Sequence, residues 1–403
     1  MYEVAEGVAI PSRTLSDYCS GQTPIPRKRL EDIASFLECP VENLEGQHAA
    51  HQAHAYQGTS SPVLGSEAMD RKRRELLHLL SLAGSTLILP LHDFDWERIE
   101  TAYIKPSLLD AGIVENLEAI NSHYWHVYLT TPPRSVVLDG VLGQLKTLTQ
   151  FLRDSHVSSL HQQLCMLASD LGQLAGEIFF DLNQYSTAQS CYTFAASAAK
   201  EAKDYDLWAC ALVRNAFLPL FDRQYHDAFP LLQEAQRLAR YGDATSVTRF
   251  WVAAVEAEAY AGVSNLSACQ RALDRSAEIQ DVKGGFNGTW LRFDGKRLPE
   301  QRGACFTRLE RPDLALPALQ EALQQLPGRT RRRGMVLTDM ATILIQQGEI
   351  EQACIALDEV VEIAIQSASG MLCKGIYTVR AQLGPFMETS AVKSLDKQLA
   401  LLD

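Results

Sequence analysis

None of the nine cysteines in this 403-residue chain belongs to a CxxC pair, and their number is odd. Neither a zinc site nor a disulfide framework is suggested by that spacing. The thiols read instead as small buried hydrophobes in a reducing cytoplasm. Proline and glycine together make up only about a tenth of the residues (16 and 24), which excludes collagen-like and low-complexity chains. Basic side chains are outnumbered, 37 against 49 acidic ones, for a net charge of −12. A protein coated in basic surface for indiscriminate nucleic-acid binding is excluded, although a small local DNA-reading element is not. Residues 1–10 carry no basic flank and apolar core of a signal peptide,. The longest uncharged apolar stretch, Leu76 to Pro90 after RKRR, falls short of the roughly 20 residues that span a bilayer. It reads as an amphipathic helix with a basic flank rather than as an export signal. Phosphate loops of the GxxxxGK type, HExxH, GxSxG and GxGxxG are all missing, so no enzyme is expected and no cofactor or metal is implied.

What remains is a chain that is 46% hydrophobic, enough for a substantial core. Residues 1–46 are dense in helix signals. Residues 47–69, rich in Gly, Ser, Pro and small polar residues, read as a flexible linker,. From residue 70 onward apolar residues recur at threes and fours with almost no alternation, which predicts an all-α chain,. His48, His51 and His54 recur every three residues, but in a Gly/Ser linker without cysteine or carboxylate neighbours they read as a chance cluster.

The second half repeats itself. Gly176, Phe179, Ala188, Tyr192 and Ala195 form a small–large–small–large–small pattern. It returns at Gly303, Phe306, Ala315, Leu319 and Ala322, and again at Ala341, Leu344, Ala353, Leu357 and Val360. Ala216, Ala228, Leu232 and Ala235 match with Pro219 at a large position, and Ala259, Ala268 and Ala272 match more weakly. Small residues let two antiparallel helices approach while large ones fill the gaps beside them. This is the pattern of a tetratricopeptide repeat, with the equivalent alanines spaced by 40, 40, 47 and 38 residues, longer than the usual ~34. A right-handed α-solenoid with a concave face is expected over 169–403, closed by a C-terminal capping helix. Residues 70–168 are expected to be helical and to start the array, with Tyr124, Trp125, Tyr128, Leu138, Leu142, Leu145 and Leu148 as their apolar stripe.

In the N-terminal segment, IPSRTLSDYCSG has the form of a recognition helix with its terminating glycine, and RLEDIASFLECPVENL that of closing helices. The segment resembles the helix-turn-helix domain of Cro- and phage-repressor-like (XRE-type) bacterial regulators, from the middle of that domain's second helix onward. The resemblance therefore describes a partial domain over 1–46. It extends along the rest of the chain to XRE-type regulators that carry a C-terminal tetratricopeptide array, through YW at 124–125, WVAAVEAEAYA, FDGKRLPEQRGACF and SAVKSLDKQL. It implies that Ser12, Arg13 and Ser16 face bases and that Arg27, Lys28 and Arg29 face phosphates. Against it stands the charge of residues 1–46, four basic and eight acidic side chains.

In such an array the first helix of each repeat lines the groove. Registered on the small residue, the expected groove positions are Asp170, Gln173, Glu177 and Asp181, then Val213 and Phe217. They continue with Arg297, Glu300 and Arg308, then Thr338 and Thr342. A face acidic at one end and basic further along would hold an extended peptide, although every solenoid also has such a solvated face. RTRRR at 329–333 is either an anion-binding element or a solvated loop. The expected function is a cytoplasmic DNA-binding transcriptional regulator, working as a dimer on an operator, whose array senses a peptide or protein partner. The alternative is a tetratricopeptide interaction scaffold that does not bind DNA. No membrane partner is expected.

Overall fold

The computed structural model describes residues 95–131, 133–154, 158–281, 291, 293–400 and 402, together with Lys28. Contacts divide the chain into two compact units, residues 1–67 and 68–403, and every described residue except Lys28 belongs to the second. The expected linker and most of the expected helix-turn-helix lie outside the described residues.

Among the described residues there are 15 α-helices and no strand. The first three are α1 (Trp96–Ile104), α2 (Ala111–Thr130) and α3 (Leu138–Asp154). Their starts are encoded locally: Asp95 accepts the Arg98 amide at 3.1 Å and Asp110 that of Ile113 at 3.0 Å, satisfying donors that a helix leaves open. Tyr124, Trp125, Tyr128 and Leu148 of the expected apolar stripe are buried. Leu138 and Leu145 pack partly against the same core, whereas Leu142 is 40% exposed.

Five helical hairpins follow: α4 (Ser158–Asp181) with α5 (Tyr185–Ala202), α6 (Tyr205–Phe221) with α7 (Tyr225–Ala239), and α8 (Thr248–Gly262) with α9 (Leu266–Ala277). Next come α10 (Leu298–Arg308) with α11 (Pro312–Gln325) and α12 (Arg331–Gln346) with α13 (Ile350–Ser367). Helices α14 (Gly370–Gln382) and α15 (Ser390–Leu399) cover α13. The first helices also stack side by side, α4 on α6, then α8, α10, α12 and α14 in turn. Consecutive pairs packed in this way are compatible with an α-solenoid. No helix among the described residues is long and apolar enough to cross a membrane.

The repeated small residues mark where the helices touch. A Cβ placed on Gly176 would lie 2.3 Å from Tyr192, and one on Gly303 would lie 2.5 Å from Leu319. Ala188, Ala195, Ala228, Ala235, Ala315 and Ala353 are all completely buried. Pro219 does not end its helix; α6 continues to Phe221. The five inter-helix turns share one backbone device. Asn183, Arg223, Ser264, Glu310 and Gly348 all have positive φ, between 54° and 82°. The residue after each donates its amide across the turn, as Gln184 does to Phe179 O and Glu349 to Leu344 O, both at 2.9 Å. This left-handed helix ending caps the last turn of the first helix and starts the second.

The array also comes back on itself. Ser369, the N-cap of α14, donates to Asp181 at the end of α4 at 2.7 Å. Beside it, a Cβ on Gly370 would stand 2.4 Å from Asn183 Nδ2 and 2.7 Å from the Asp181 carbonyl oxygen, so glycine is what permits this approach. Lys374 reaches Asp222 at 3.2 Å and lies over the Phe221 ring at 4.1 Å.

Candidate functional site

The first helices bring polar residues to a shared inner layer, and Arg214 of α6 stands at its centre. Its guanidinium sits between Trp125 and Trp251, 5.5 and 5.2 Å from their ring centroids. It donates to Gln173 Oε1 and, at 3.2 Å, to Glu177 Oε1. Only 6% of the side chain is exposed. Gln173 in turn donates to the Leu207 carbonyl at 3.3 Å, tying α4 to α6. Nearby, Asp170 accepts from Trp125 Nε1 at 2.7 Å and from Asn121 Nδ2 at 3.0 Å. Burial pushes the Asp170 carboxyl up to about 6, against the pull of those two donors.

Further along α4, the Tyr128 hydroxyl lies 3.5 Å from both Glu177 Oε2 and Arg331 Nη1, and Arg134 lies over its ring at 5.0 Å. Burial, reinforced by Glu177, raises the Tyr128 hydroxyl to about 12, so it stays protonated as a donor. Arg331 pairs with Asp181 at 3.6 Å. Burial works against the Arg331 charge, but Tyr128, Asp181 and Glu177 outweigh it and raise its pKa. Arg332 forms a two-pronged pair with Glu300. Arg297, at the entry of α10, is partly buried; its backbone amide donates to the Asp294 carbonyl at 3.0 Å, and its side chain makes no hydrogen bond or ion pair with the described residues. Burial and the Arg332 charge lower its pKa to about 10.

A second polar group occupies α8, α10 and α12. Arg308 reaches Glu258 Oε2 at 3.6 Å and its carbonyl at 3.3 Å. Burial raises the Glu258 carboxyl, with Arg308 opposing. Asp339 is pushed up to about 7 by burial, with Arg308 opposing and Glu258 adding to the rise.

The sequence-predicted groove residues therefore divide. Gln173, Glu177, Asp181, Arg297 and Glu300 lie in or beside the charged layer, Asp170 at its edge, and Arg308 in the second group. Val213 is completely buried in the core, and Phe217 packs on Trp251 with centroids 6.2 Å apart. The Thr338 and Thr342 hydroxyls donate back to the carbonyls of Gly334 and Thr338, at 2.8 and 3.0 Å. Sequence reasoning passed over Arg214, placed Tyr128 only in an apolar stripe, and read Arg331 and Arg332 only as part of RTRRR. Arg214 had a visible signal, as the lone charge in the run LWACALVRNAFLPLF, where such a charge demands a buried partner,. RTRRR is not a solvated loop throughout: Arg331, Arg332 and Arg333 begin α12. Arg329 pairs with Glu362 at 2.7 Å and Arg333 with Glu359 at 2.5 Å.

One group among the described residues has metal-ligand chemistry. His161, Cys165 and Glu201 bring their ligand atoms within 4.8 Å of one another, although His161 and Glu201 already share a hydrogen bond at 2.6 Å and burial pushes the Cys165 thiol up to about 11. Of the residues expected to touch DNA, Ser12, Arg13, Ser16, Arg27 and Arg29 lie outside the described residues. Lys28 is helical and exposed. A scan against protein-family models gives no match to this chain, and a search of curated proteins gives none either.

Proposed function

We propose that this chain is a cytoplasmic, DNA-binding transcriptional regulator whose helical hairpins form a tetratricopeptide array that senses a peptide or protein partner. The observation that carries the sensing half is the charged layer built around Arg214, Glu177, Asp181 and Arg331. Buried ion pairs are often less favourable than well-packed apolar residues of the same size, so a layer that keeps several of them supports a role in recognition. The DNA-reading half rests on the resemblance of residues 1–46 to XRE-type domains, with Ser12, Arg13 and Ser16 at base edges and Arg27, Lys28 and Arg29 at phosphates. One such module reads a half-site, which favours a dimer. A partner would act by binding one arrangement of the array more tightly than another.

A second reading, an interaction scaffold without DNA binding, is favoured by the four basic and eight acidic side chains of residues 1–46. Fluorescence anisotropy of the purified chain on DNA from its own promoter, beside scrambled DNA at two salt concentrations, separates the two. Unspecific phosphate contacts collapse as salt rises. A preference that survives high salt and is lost in Arg13→Ala supports the regulator; no preference at either salt leaves the scaffold.

A further inference from the structure

Helices α4 and α5 run antiparallel and are held close by small residues. A Cβ on Gly172 would lie 3.0 Å from Phe194 and 3.3 Å from Ala195, and one on Gly176 would meet Tyr192. About two to three turns before Gly172, the same packing sets the beginning of α4 beside the end of α5. There Gln162 Nε2 donates to the Ala202 carbonyl at 2.8 Å. His161 and Cys165 are four residues apart, so they share one face of α4. Glu201 meets them from the last turn of α5, and the imidazole nitrogen, the sulfur and the carboxylate oxygen all lie within 4.8 Å of one another. The three are graded in depth. Cys165 is in no disulfide and is 1% exposed, while the His161 and Glu201 side chains are 32% and 61% exposed. A buried sulfur thus lies beneath two ligands that reach water, which an exposed ion pair alone does not require.

We propose that His161, Cys165 and Glu201 form a zinc(II) site with water as the fourth ligand. Tetrahedral zinc holds nitrogen and oxygen ligands at about 2.0–2.2 Å and sulfur at about 2.3 Å, which sets the ligand atoms about 3.3–3.6 Å apart. The present separations run from 2.6 Å, between His161 and Glu201, to at most 4.8 Å. Side-chain shifts of about 1 Å therefore reach the zinc geometry, and neither helix has to move. Imidazole and sulfur donors exclude magnesium and calcium, which take oxygen ligands. Binding releases the thiol proton to water, and the two positive charges of zinc are matched by the thiolate and the Glu201 carboxylate. His161 binds as the neutral ring through Nε2, the nitrogen that contacts Glu201. The ion staples the beginning of α4 to the end of α5. The site shares no residue with the charged layer around Arg214, and it stands or falls independently of the DNA-reading and partner-sensing halves of the proposed function.

The test uses the full chain, stripped with chelator and kept reduced, titrated with cobalt(II) and then with zinc(II). The expected result is a near-ultraviolet thiolate-to-cobalt band, the visible bands of tetrahedral cobalt, and the loss of both when zinc displaces cobalt. Zinc also raises the thermal midpoint, and magnesium leaves it unchanged. Removing a ligand costs at least as much as removing an outer-shell partner, about 10–100-fold in metal affinity. His161→Gln, Cys165→Ala and Glu201→Gln are therefore each expected to bind zinc at least about tenfold more weakly. Because Glu201 is mostly exposed, Glu201→Gln folds like the parent and reads the lost ligand alone. A thiolate band that survives in Cys165→Ala overturns the proposal, as does zinc affinity unchanged in His161→Gln or Glu201→Gln. Cobalt binding without a thiolate band, which the histidines His48, His51 and His54 would give, or no binding at all overturns it equally.

Discussion

Adding one methyl group at Gly176 tests the packing of the repeats directly. In mid-helix, alanine is favoured over glycine by about 1 kcal/mol, so the substitution should stabilise α4 in the absence of neighbours. Here the new Cβ stands 2.3, 2.6 and 2.8 Å from three carbons of the Tyr192 ring, which is 2% exposed and enclosed on all sides. Ordinary contact begins near 3.4 Å, so the ring must withdraw by about 1 Å into a filled core. Such overpacking costs about 1–3 kcal/mol, and the net effect of Gly176→Ala is a loss of about 0–2 kcal/mol. Gly375, inside α14, is the matched control. Its Cβ would meet only Thr338 Cγ2 at 3.5 Å, so Gly375→Ala should gain about 1 kcal/mol. Urea unfolding followed by far-ultraviolet circular dichroism compares the two midpoints at constant slope. Adding Tyr192→Leu to Gly176→Ala should relieve the clash, so that the two changes are non-additive. Equal shifts in the same direction for Gly176→Ala and Gly375→Ala would refute the reasoning.

Four further outcomes are expected. Arg214→Met leaves Glu177 and Gln173 facing a vacated site and should cost about 3–5 kcal/mol, whereas Glu234→Ala, which breaks the exposed Glu234–Arg237 pair, should cost under about 1 kcal/mol; one denaturation series reads both. Asp339 holds its proton more tightly in the folded chain, at about 7 against an ordinary 3.8. Its ionised form therefore opposes folding above pH 7, and that opposition fades as the pH falls from 7 to 4. Asp339→Asn should accordingly be more stable than the parent at pH 8, by roughly 2–4 kcal/mol, and equal to it by pH 4. In the hairpin turns, Glu310→Gly should stabilise the chain by about 0.5–1 kcal/mol and Gly348→Ala should destabilise it by about 1 kcal/mol, checked by thermal unfolding. Arg13→Ala should abolish operator discrimination, read by anisotropy against scrambled DNA.

The alanines at 188, 228, 268, 315 and 353 were legible because side-chain volume is written in residue type. The turns four or five residues ahead of them were not. Asn183, Arg223, Ser264 and Glu310 carry no common letter, yet all take the left-handed conformation that Gly348 announces. Flanking helices impose that conformation at a cost of only about 1–2 kcal/mol, too little to demand glycine. On the inner layer, Gln173 and Glu177 follow from their spacing on one helix. Arg214 sits one residue off the register that placed Val213, and a rotation of about 100° separates a core position from a groove position. The pairing of Arg331 with Asp181 lay beyond any local window, because it depends on rotations accumulated over every intervening hairpin.

That pairing, with the Ser369 hydrogen bond beside it, alters how the array can come apart. An open stack loses structure from its two ends inward, each hairpin held only by its neighbour. Here the end of α4 is fastened to the beginnings of α12 and α14, so the stack has the boundary condition of a loop. Fraying at either place must first release Asp181 together with the Lys374–Asp222 pair and the Arg331–Tyr128 contact. Hairpins that would otherwise yield one after another are thereby made to respond together, held by one small cluster of contacts centred on Asp181.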